Sequence, residues 1–402
     1  MKNFRQYTPT EILFGKDTED LTGEEVRKWG GSRVLIVFGG GSVVRSGLLK
    51  RVEDTLVAEG IVYEEFGGVH PNPLMSFAQK GVEEAISFDA DLILAVGGGS
   101  AIDTAKAIAH GVANPEATLE EIWDGKIALK KSLPVGVVLT LAAAGSEMSN
   151  SSVLTNERTG KKKGLGTDLN RPRFAIMNPE LTYTLPKYQL TCGIVDIMMH
   201  TLDRYFTPVE GNQMTDRIAE NLLQNVIENG RIAFKDQTDY DAMSELMWCS
   251  SLSHNGITGL GGTREFAVHK LGHELSAAYD VAHGASLSAT WGAWAKYVMM
   301  AKPERFAQYA RKVWNVEETD DIDAAIAGIE KTVEYFASLD MPVCLPDLEQ
   351  PGDKGKVGVL SEEVLYELAD RVTAGDTMKI STLQPMNRED ILNIYRLANK
   401  EA

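Results

Sequence analysis

This sequence predicts an α/β fold: a parallel sheet flanked by helices in the N-terminal half, followed by an all-helical domain. Three observations carry that expectation. At 402 residues the chain exceeds what one hydrophobic core usually sustains, so two domains are expected. Its first half alternates short apolar runs with helical segments, the order that builds a parallel sheet. After about Pro186 strand patterns become scarce and the helical period takes over. The boundary is placed there, giving domains 1–186 and 187–402.

The strands are expected at Val34–Phe38, Val62–Phe66, Leu92–Val96, Val135–Leu139 and Phe174–Met177, all rich in β-branched or aromatic residues. Strands this apolar call for cover on both faces. Leu48–Gly60, Ser76–Phe88 and Ile102–Val112 supply helices between them. In the second half the helical segments are Ile194–Tyr205, Gln213–Asn229, Phe266–Ala278, Ala285–Lys302 and Ala324–Ser338, and Leu345–Val357 reads as a loop rich in Pro, Gly and charge.

Bulk composition excludes several classes of function. A net charge of −17 disfavours nucleic-acid partners, which need a basic surface. The three cysteines, Cys192, Cys249 and Cys344, are far apart and lack CxxC spacing, so neither a disulfide scaffold nor a cysteine zinc site is expected. The segment MKNFRQYTPTEILFG does not have the build of a signal peptide, and the longest apolar stretch, near Val135–Gly145, is too short to span a bilayer. A cytoplasmic protein without a membrane partner is expected.

Two strands run into glycine loops that open helices: Gly39-Gly40-Gly41-Ser42 and Gly97-Gly98-Gly99-Ser100. Glycine lets the backbone approach phosphate oxygens, and amides at a helix N-terminus favour negative charge. Neither loop is GxGxxG, because Val44 and Ile102 hold the third glycine position. One such loop is as readily a plain tight turn; two make a ligand reading stronger. Ser100 and Asp103 also fit a helix capping box, which explains the aspartate without a ligand; a cofactor hydroxyl is its other candidate partner. A third loop, Thr140–Glu147, places small residues and hydroxyls at a strand's carboxyl end.

Of seven histidines, five lie in the helical half. Asp196 and His200 are four apart within GIVDIMMHTLDRYF, so both project from one face among apolar neighbours. His269 and His273 repeat the spacing in AVHKLGHELSAA, and His283 follows in AHGAS. Imidazoles with a carboxylate suit a borderline divalent ion such as Fe²⁺ or Zn²⁺. A single histidine here is more simply a core residue; the set is harder to dismiss, and on the residues alone all four of these histidines are candidate ligands. His254 is ambiguous, and His70 and His110 read as structural.

Taken in order, TPTEILFGK, GGGSV, FGGVHPNP, AVGGGSAIDTAKAIA, LTLAAAGSE, NPELTYTLP, GIVDIMMHTLDRY, HKLGHELSAAYDVAHG and DILNIYRLA resemble the iron-containing alcohol dehydrogenase family, in its butanol-dehydrogenase and aldehyde-reductase branch. The resemblance implies an N-terminal parallel-sheet nucleotide-binding domain and an all-α metal-binding domain, the dehydroquinate-synthase-like two-domain fold. It implies one divalent metal ion on Asp196, His200, His269 and His283, with His273 outside the ligand set as proton carrier. It also implies cofactor contacts at Gly39, Gly40, Gly41 and Ser42 near the adenosine ribose, and a pyrophosphate site at Gly97, Gly98, Gly99 and Ser100. Asp103, Thr140, Leu141 and Lys162 match further cofactor positions, and Thr182 and Leu185 flank the adenine. No carboxylate stands in the first loop to repel a 2′-phosphate, so NADP(H) is favoured, with NAD(H) the alternative. Aldehydes and primary alcohols are the implied substrates, and a homodimer formed through the Tyr7–Gly15 strand is the implied assembly. Phe266 departs from the tryptophan that relatives often carry near that point, which bears on substrate preference.

Two other readings share the fold. A polyol or glycerol dehydrogenase would use the same metal set. A dehydroquinate-synthase-like lyase needs several basic residues for its anionic substrate, whereas only Arg204 and Lys270 lie in Asp196–Arg204 and His269–His283.

Overall fold

The computed structural model describes residues 1–400 and divides into two compact units, Tyr7–Leu185 and Met1–Gln6 with Pro186–Ala402. In the first unit the strands are β1 (Glu11–Phe14), β2 (Arg33–Phe38), β3 (Val62–Phe66), β4 (Leu92–Gly97), β5 (Val135–Leu139), β6 (Ser151–Asn156), β7 (Lys161–Gly166) and β8 (Phe174–Met177). Its helices are α1 (Thr22–Lys28), α2 (Ser42–Arg45), α3 (Leu48–Ala58), α4 (Met75–Phe88), α5 (Gly99–Ala113) and α6 (Leu119–Trp123).

Six strands form one sheet in the order β1-β8-β5-β4-β2-β3, every pair parallel. The central strands are buried along nearly their whole length, as their unbroken Val, Ile and Leu runs require. On one face Val34, Ile36, Leu94 and Val96 pack against Val52 and Leu56 of α3 and Val26 of α1. The alternate residues Leu35, Val37, Ile93 and Ala95 are fully buried on the other face, and α5 packs on β4 and β2. Gly136 in β5 makes room for Phe174 of β8, whose ring atoms would lie 2.3 Å from any Cβ there. Edge strand β3 keeps Glu64 and Glu65 exposed, so it is less apolar than its neighbours.

The strands β6 and β7 form a separate antiparallel hairpin that the parallel-sheet expectation does not contain. The run Lys161–Lys163, which taken alone reads as a solvated charge run, is the first half of β7. The turn is set locally: Asn156 Oδ1 accepts from the amides of Arg158 and Thr159, and Gly160 takes φ +63°.

The second unit is built from α7 (Lys187–Tyr205), α8 (Gln213–Lys235), α9 (Tyr240–His254), α10 (Ala267–Tyr279), α11 (His283–Val298), α12 (Pro303–Val313), α13 (Asp321–Ser338), α14 (Glu362–Val372) and α15 (Arg388–Ala398). α7 is its central element, buried at every residue from Leu190 to Tyr205 and packed against α8, α9, α10 and α11. Met1–Gln6 belongs to this unit, tied by Lys2 N donating to Gly261 O at 2.8 Å. Among the described residues no helix is long and apolar enough to cross a membrane.

Candidate metal centre

Three helices bring four of the helical unit's five histidines together. Asp196 and His200 lie one turn apart on the buried α7. His269 and His273 are one turn apart on α10, which begins just after Phe266, a residue held at φ +51° in the left-handed region that bulky side chains avoid. His283 is the first residue of α11.

Two glycines allow this approach. A Cβ on Gly284 would meet the carbonyl oxygen of Cys192 on α7 at 2.2 Å, so the start of α11 rests directly on the α7 backbone. A Cβ on Gly272 would meet Ser286 Oγ at 2.6 Å, which sets the spacing of α10 and α11.

The result is three imidazole nitrogens within 4 Å of one carboxylate oxygen. Asp196 Oδ1 lies 3.4 Å from His200 Nε2, 3.6 Å from His269 Nε2 and 3.8 Å from His283 Nε2. Ligands held about 2.1 Å from a tetrahedral ion stand about 3.4 Å from one another, so the spacing fits a divalent cation. Asp196 Oδ1 and His269 Nε2 are buried and lack hydrogen-bond partners, a costly state unless something else satisfies them. Asp196, His200 and His269 by themselves have the geometry of a metal-ligating group. The side chain of His283 is 24% exposed against 5–6% for His200 and His269, so it stands at the open side of the cluster.

The electrostatics of the free cluster are uneven. Burial, with the neighbouring rings of His254 and His269, holds His200 well below the usual imidazole pKa. Burial pulls His269 down too, but the carboxylates of Asp203 and Asp196 outweigh it and raise that imidazole to about 9. His254 joins the cluster by stacking on His200, ring centroids 3.8 Å apart. His273 stands on the far side, its ring 5.2 Å from that of His283 and 6.3 Å from that of His269. Phe266 lies 5.2 Å from His269, and the buried guanidinium of Arg204 sits 5.0 Å over its ring.

Asp203 is the site residue that sequence reasoning missed. Its Oδ2 lies 2.5 Å from His269 Nδ1. The signal was available: Asp196, His200 and Asp203 share one face of a helix at i, i+4 and i+7.

In the α/β unit, the loops after β2, β4 and β5 open at the carboxyl edge of three adjacent strands. Gly41 takes φ +97° and leads into α2 at Ser42, while the position of Gly40 is open, with nothing within 4 Å of a would-be Cβ. Gly97 ends β4, and α5 starts at Gly99, with Ser100 in its first turn. Thr140 N donates to Gly97 O at 3.1 Å, and Gly98 packs against Leu141, so the second and third loops are in contact. Lys162, on β7, donates to Asn72 Oδ1 at 2.8 Å. Thr182 and Leu185 lie in the turn after β8, the Thr182 hydroxyl donating to Pro179 O.

The capping-box reading of Ser100 and Asp103 is corrected here. α5 begins two residues earlier, with Gly98 as its N-cap and no side-chain cap. The Asp103 carboxylate instead accepts from Ser146 Oγ and Val153 N, pinning the third loop and β6 to α5. His110 is structural as expected, buried between Ser132 and Asn170, and His70 is exposed beside its neighbour's carbonyl, Pro71 O.

Two family models match, "Iron-containing alcohol dehydrogenase" over residues 9–179 and "Fe-containing alcohol dehydrogenase family, C-terminal" over residues 191–399. The chain belongs to the iron-containing alcohol dehydrogenase family. It is 40% identical to NADH-dependent butanol dehydrogenase A of Clostridium acetobutylicum, across 98% of this chain and 99% of that one. It is 36% identical to the NADPH-dependent aldehyde reductase YqhD of Escherichia coli, across 86% of this chain and 89% of that one. Among solved structures it resembles NADH-dependent butanol dehydrogenase A of Thermotoga maritima, with a TM-score of 0.93, 33% identity, and coverage of 100% of this chain and 99% of that one. The family agrees with the α/β-then-helical architecture and with a metal-dependent, NAD(P)H-linked dehydrogenase chemistry.

Proposed function

We propose that this chain reduces short- to medium-chain aldehydes to primary alcohols with NADPH, reversibly, on one divalent ion held by Asp196, His200, His269 and His283. The observation that carries this reading is the convergence of three imidazole Nε2 atoms on one buried, unpartnered carboxylate oxygen. A bound Fe²⁺ or Zn²⁺ would supply Lewis acidity toward the substrate oxygen. A nicotinamide cofactor held at the glycine loops would supply hydride to the carbonyl carbon, and the oxygen would take a proton, giving alcohol and oxidised cofactor. His273, one turn from His269 and outside the group around Asp196, carries that proton. Phe266 and His254 flank the ligating rings and shape the space for the substrate's alkyl chain.

The α/β unit is the dinucleotide-binding domain in this reading and the helical unit the metal- and substrate-binding domain. Gly39–Ser42, Gly97–Ser100, Asp103, Thr140, Leu141, Lys162, Thr182 and Leu185 are its cofactor residues. Asp103 contributes by holding the Ser146 loop. NADPH over NADH is supported by the carboxylate-free first loop, where the Arg45 guanidinium lies within 3.3 Å of a would-be Gly41 Cβ and offers charge to a 2′-phosphate. The butanol dehydrogenases above are named for NADH, so NADH is the second cofactor to compare. A homodimer through the outer edge of β1 and a cytoplasmic location complete the proposal. They are supported by the edge position of β1 and by three buried, unbridged cysteines.

The test is oxidation of NADPH and of NADH by butyraldehyde, longer aldehydes and glycerol-derived aldehydes, with and without chelator. Chelator-sensitive turnover of butyraldehyde is expected, faster with NADPH. Turnover confined to polyol-type substrates, or unaffected by complete metal removal, would overturn the reading.

A further inference from the structure

α7 carries a second carboxylate on the face that bears Asp196 and His200. Asp203 stands two turns beyond Asp196, its side chain 1% exposed, with Oδ2 2.5 Å from His269 Nδ1. Its backbone carbonyl accepts from Glu265 N at 2.7 Å, so the segment entering α10 is tied to α7 at the same residue. The other ring nitrogen, Nε2, has no hydrogen-bond partner and faces Asp196 Oδ1 at 3.6 Å.

An ionised carboxylate can only accept. The short contact is therefore Nδ1–H donating to Asp203 Oδ2, so when the ring gives up its other proton to ligate a metal, the lone pair falls on Nε2. A metal-ligating imidazole commonly needs such a partner to fix its tautomer and its orientation. We infer that Asp203 is a positioning residue of the metal centre, holding His269 with Nε2 aimed at the ion and strengthening it as a donor. One face of α7 thus supplies two ligands and grips a third that comes from α10. The inference rests on the metal-binding reading above.

The test uses full-length wild type, Asp203→Asn, Asp203→Ala and His200→Ala, stripped by chelation and titrated with Co²⁺. Affinity is read by competition with a coloured chelator, and ligand geometry by the visible bands of Co²⁺. Wild type should take up one ion, His200→Ala should bind it far more weakly, and both Asp203 variants should lose about 10- to 100-fold in affinity with altered bands. Wild-type affinity and bands in both Asp203 variants would overturn the positioning role while leaving the metal site standing. Failure of wild type to bind, or binding by His200→Ala as tight as wild type, would instead sink the metal reading. Should the Asp203 variants not fold, the imidazole ¹⁵N spectrum of Zn²⁺-loaded wild type decides. A proton on His269 Nδ1 supports the proposal, and coordination through Nδ1 overturns it.

Discussion

His200 and His269 stack with ring centroids 4.4 Å apart, yet their surroundings push their proton affinities in opposite directions. Asp196 faces both rings, but Asp203 adds a second carboxylate at His269, whereas His200 is crowded by His254 and His269. The cluster is therefore a poor place for several protons and a good one for a single divalent charge. His200→Ala and His283→Ala should each leave the purified protein with little metal, measured by elemental analysis. Wild-type metal content in either would count against the ligand set. His273→Ala should keep its metal but turn over more slowly by about 100-fold or more, the order of effect of a positioned acid–base group. An unchanged pH–rate profile in that variant would remove His273 from proton transfer. A different histidine tests the α/β unit. Burial, aided by the charge of Lys106, lowers His110 to about 4 from 6.5. The folded state thus stays neutral there while the unfolded chain takes up a proton. Stability from this residue is complete above pH 6.5 and is lost as pH falls toward 4, by about 3 kcal/mol in all. Urea unfolding of wild type and His110→Gln between pH 7 and pH 5 should show the steeper decline in wild type. Parallel declines would contradict this origin.

At the scale of elements, the proposed metal centre depends on how closely α7, α10 and α11 approach. Gly284→Ala would drive a methyl into the Cys192 carbonyl, and backbone cannot swing aside as a flexible side chain does. Overpacking of this kind costs about 1–3 kcal/mol. Because His283 is the adjacent residue, the displacement should also lower metal affinity. A variant with wild-type melting temperature and metal content would show that α11 is not held by this contact. The same scale shows what the sequence could reveal. β2, β4, β5 and β8 are legible because buried parallel strands are apolar throughout, and α7 because its polar residues interrupt an otherwise apolar helix. The β6–β7 hairpin was not legible, because Ser151–Asn156 is short and mostly polar and Lys161–Gly166 is lysine-rich, glycine-bearing and partly solvated, neither with a strong strand pattern. The start of α5 was misplaced for a different reason. Ser100 and Asp103 have capping-box spacing, but Asp103 finds better partners in Ser146 and Val153, far away in sequence. Asp203 could be read as helix periodicity but not as a partner of His269, since 66 residues separate the two.

For the whole molecule, family membership and the geometry of the helical unit point the same way by independent routes. The family models cover both units, and Asp196, His200 and His269 offer donor atoms close enough together to hold one ion without reference to any relative. Cofactor choice belongs to this scale as well, and Arg45→Ala should raise the KM for NADPH while leaving that for NADH nearly unchanged. Equal effects on both would remove Arg45 from 2′-phosphate recognition. The most direct test of the central claim is a metal-reconstitution series. Protein stripped by chelation is given back Fe²⁺ or Zn²⁺ in increments, and metal per chain is measured alongside butyraldehyde-dependent oxidation of the reduced cofactor. Activity should be absent in the stripped protein, rise in proportion to occupancy, and reach its limit at one ion per chain. Full activity in protein shown to be metal-free, or an Asp196→Ala chain that retains its ion and its rate, would contradict the account.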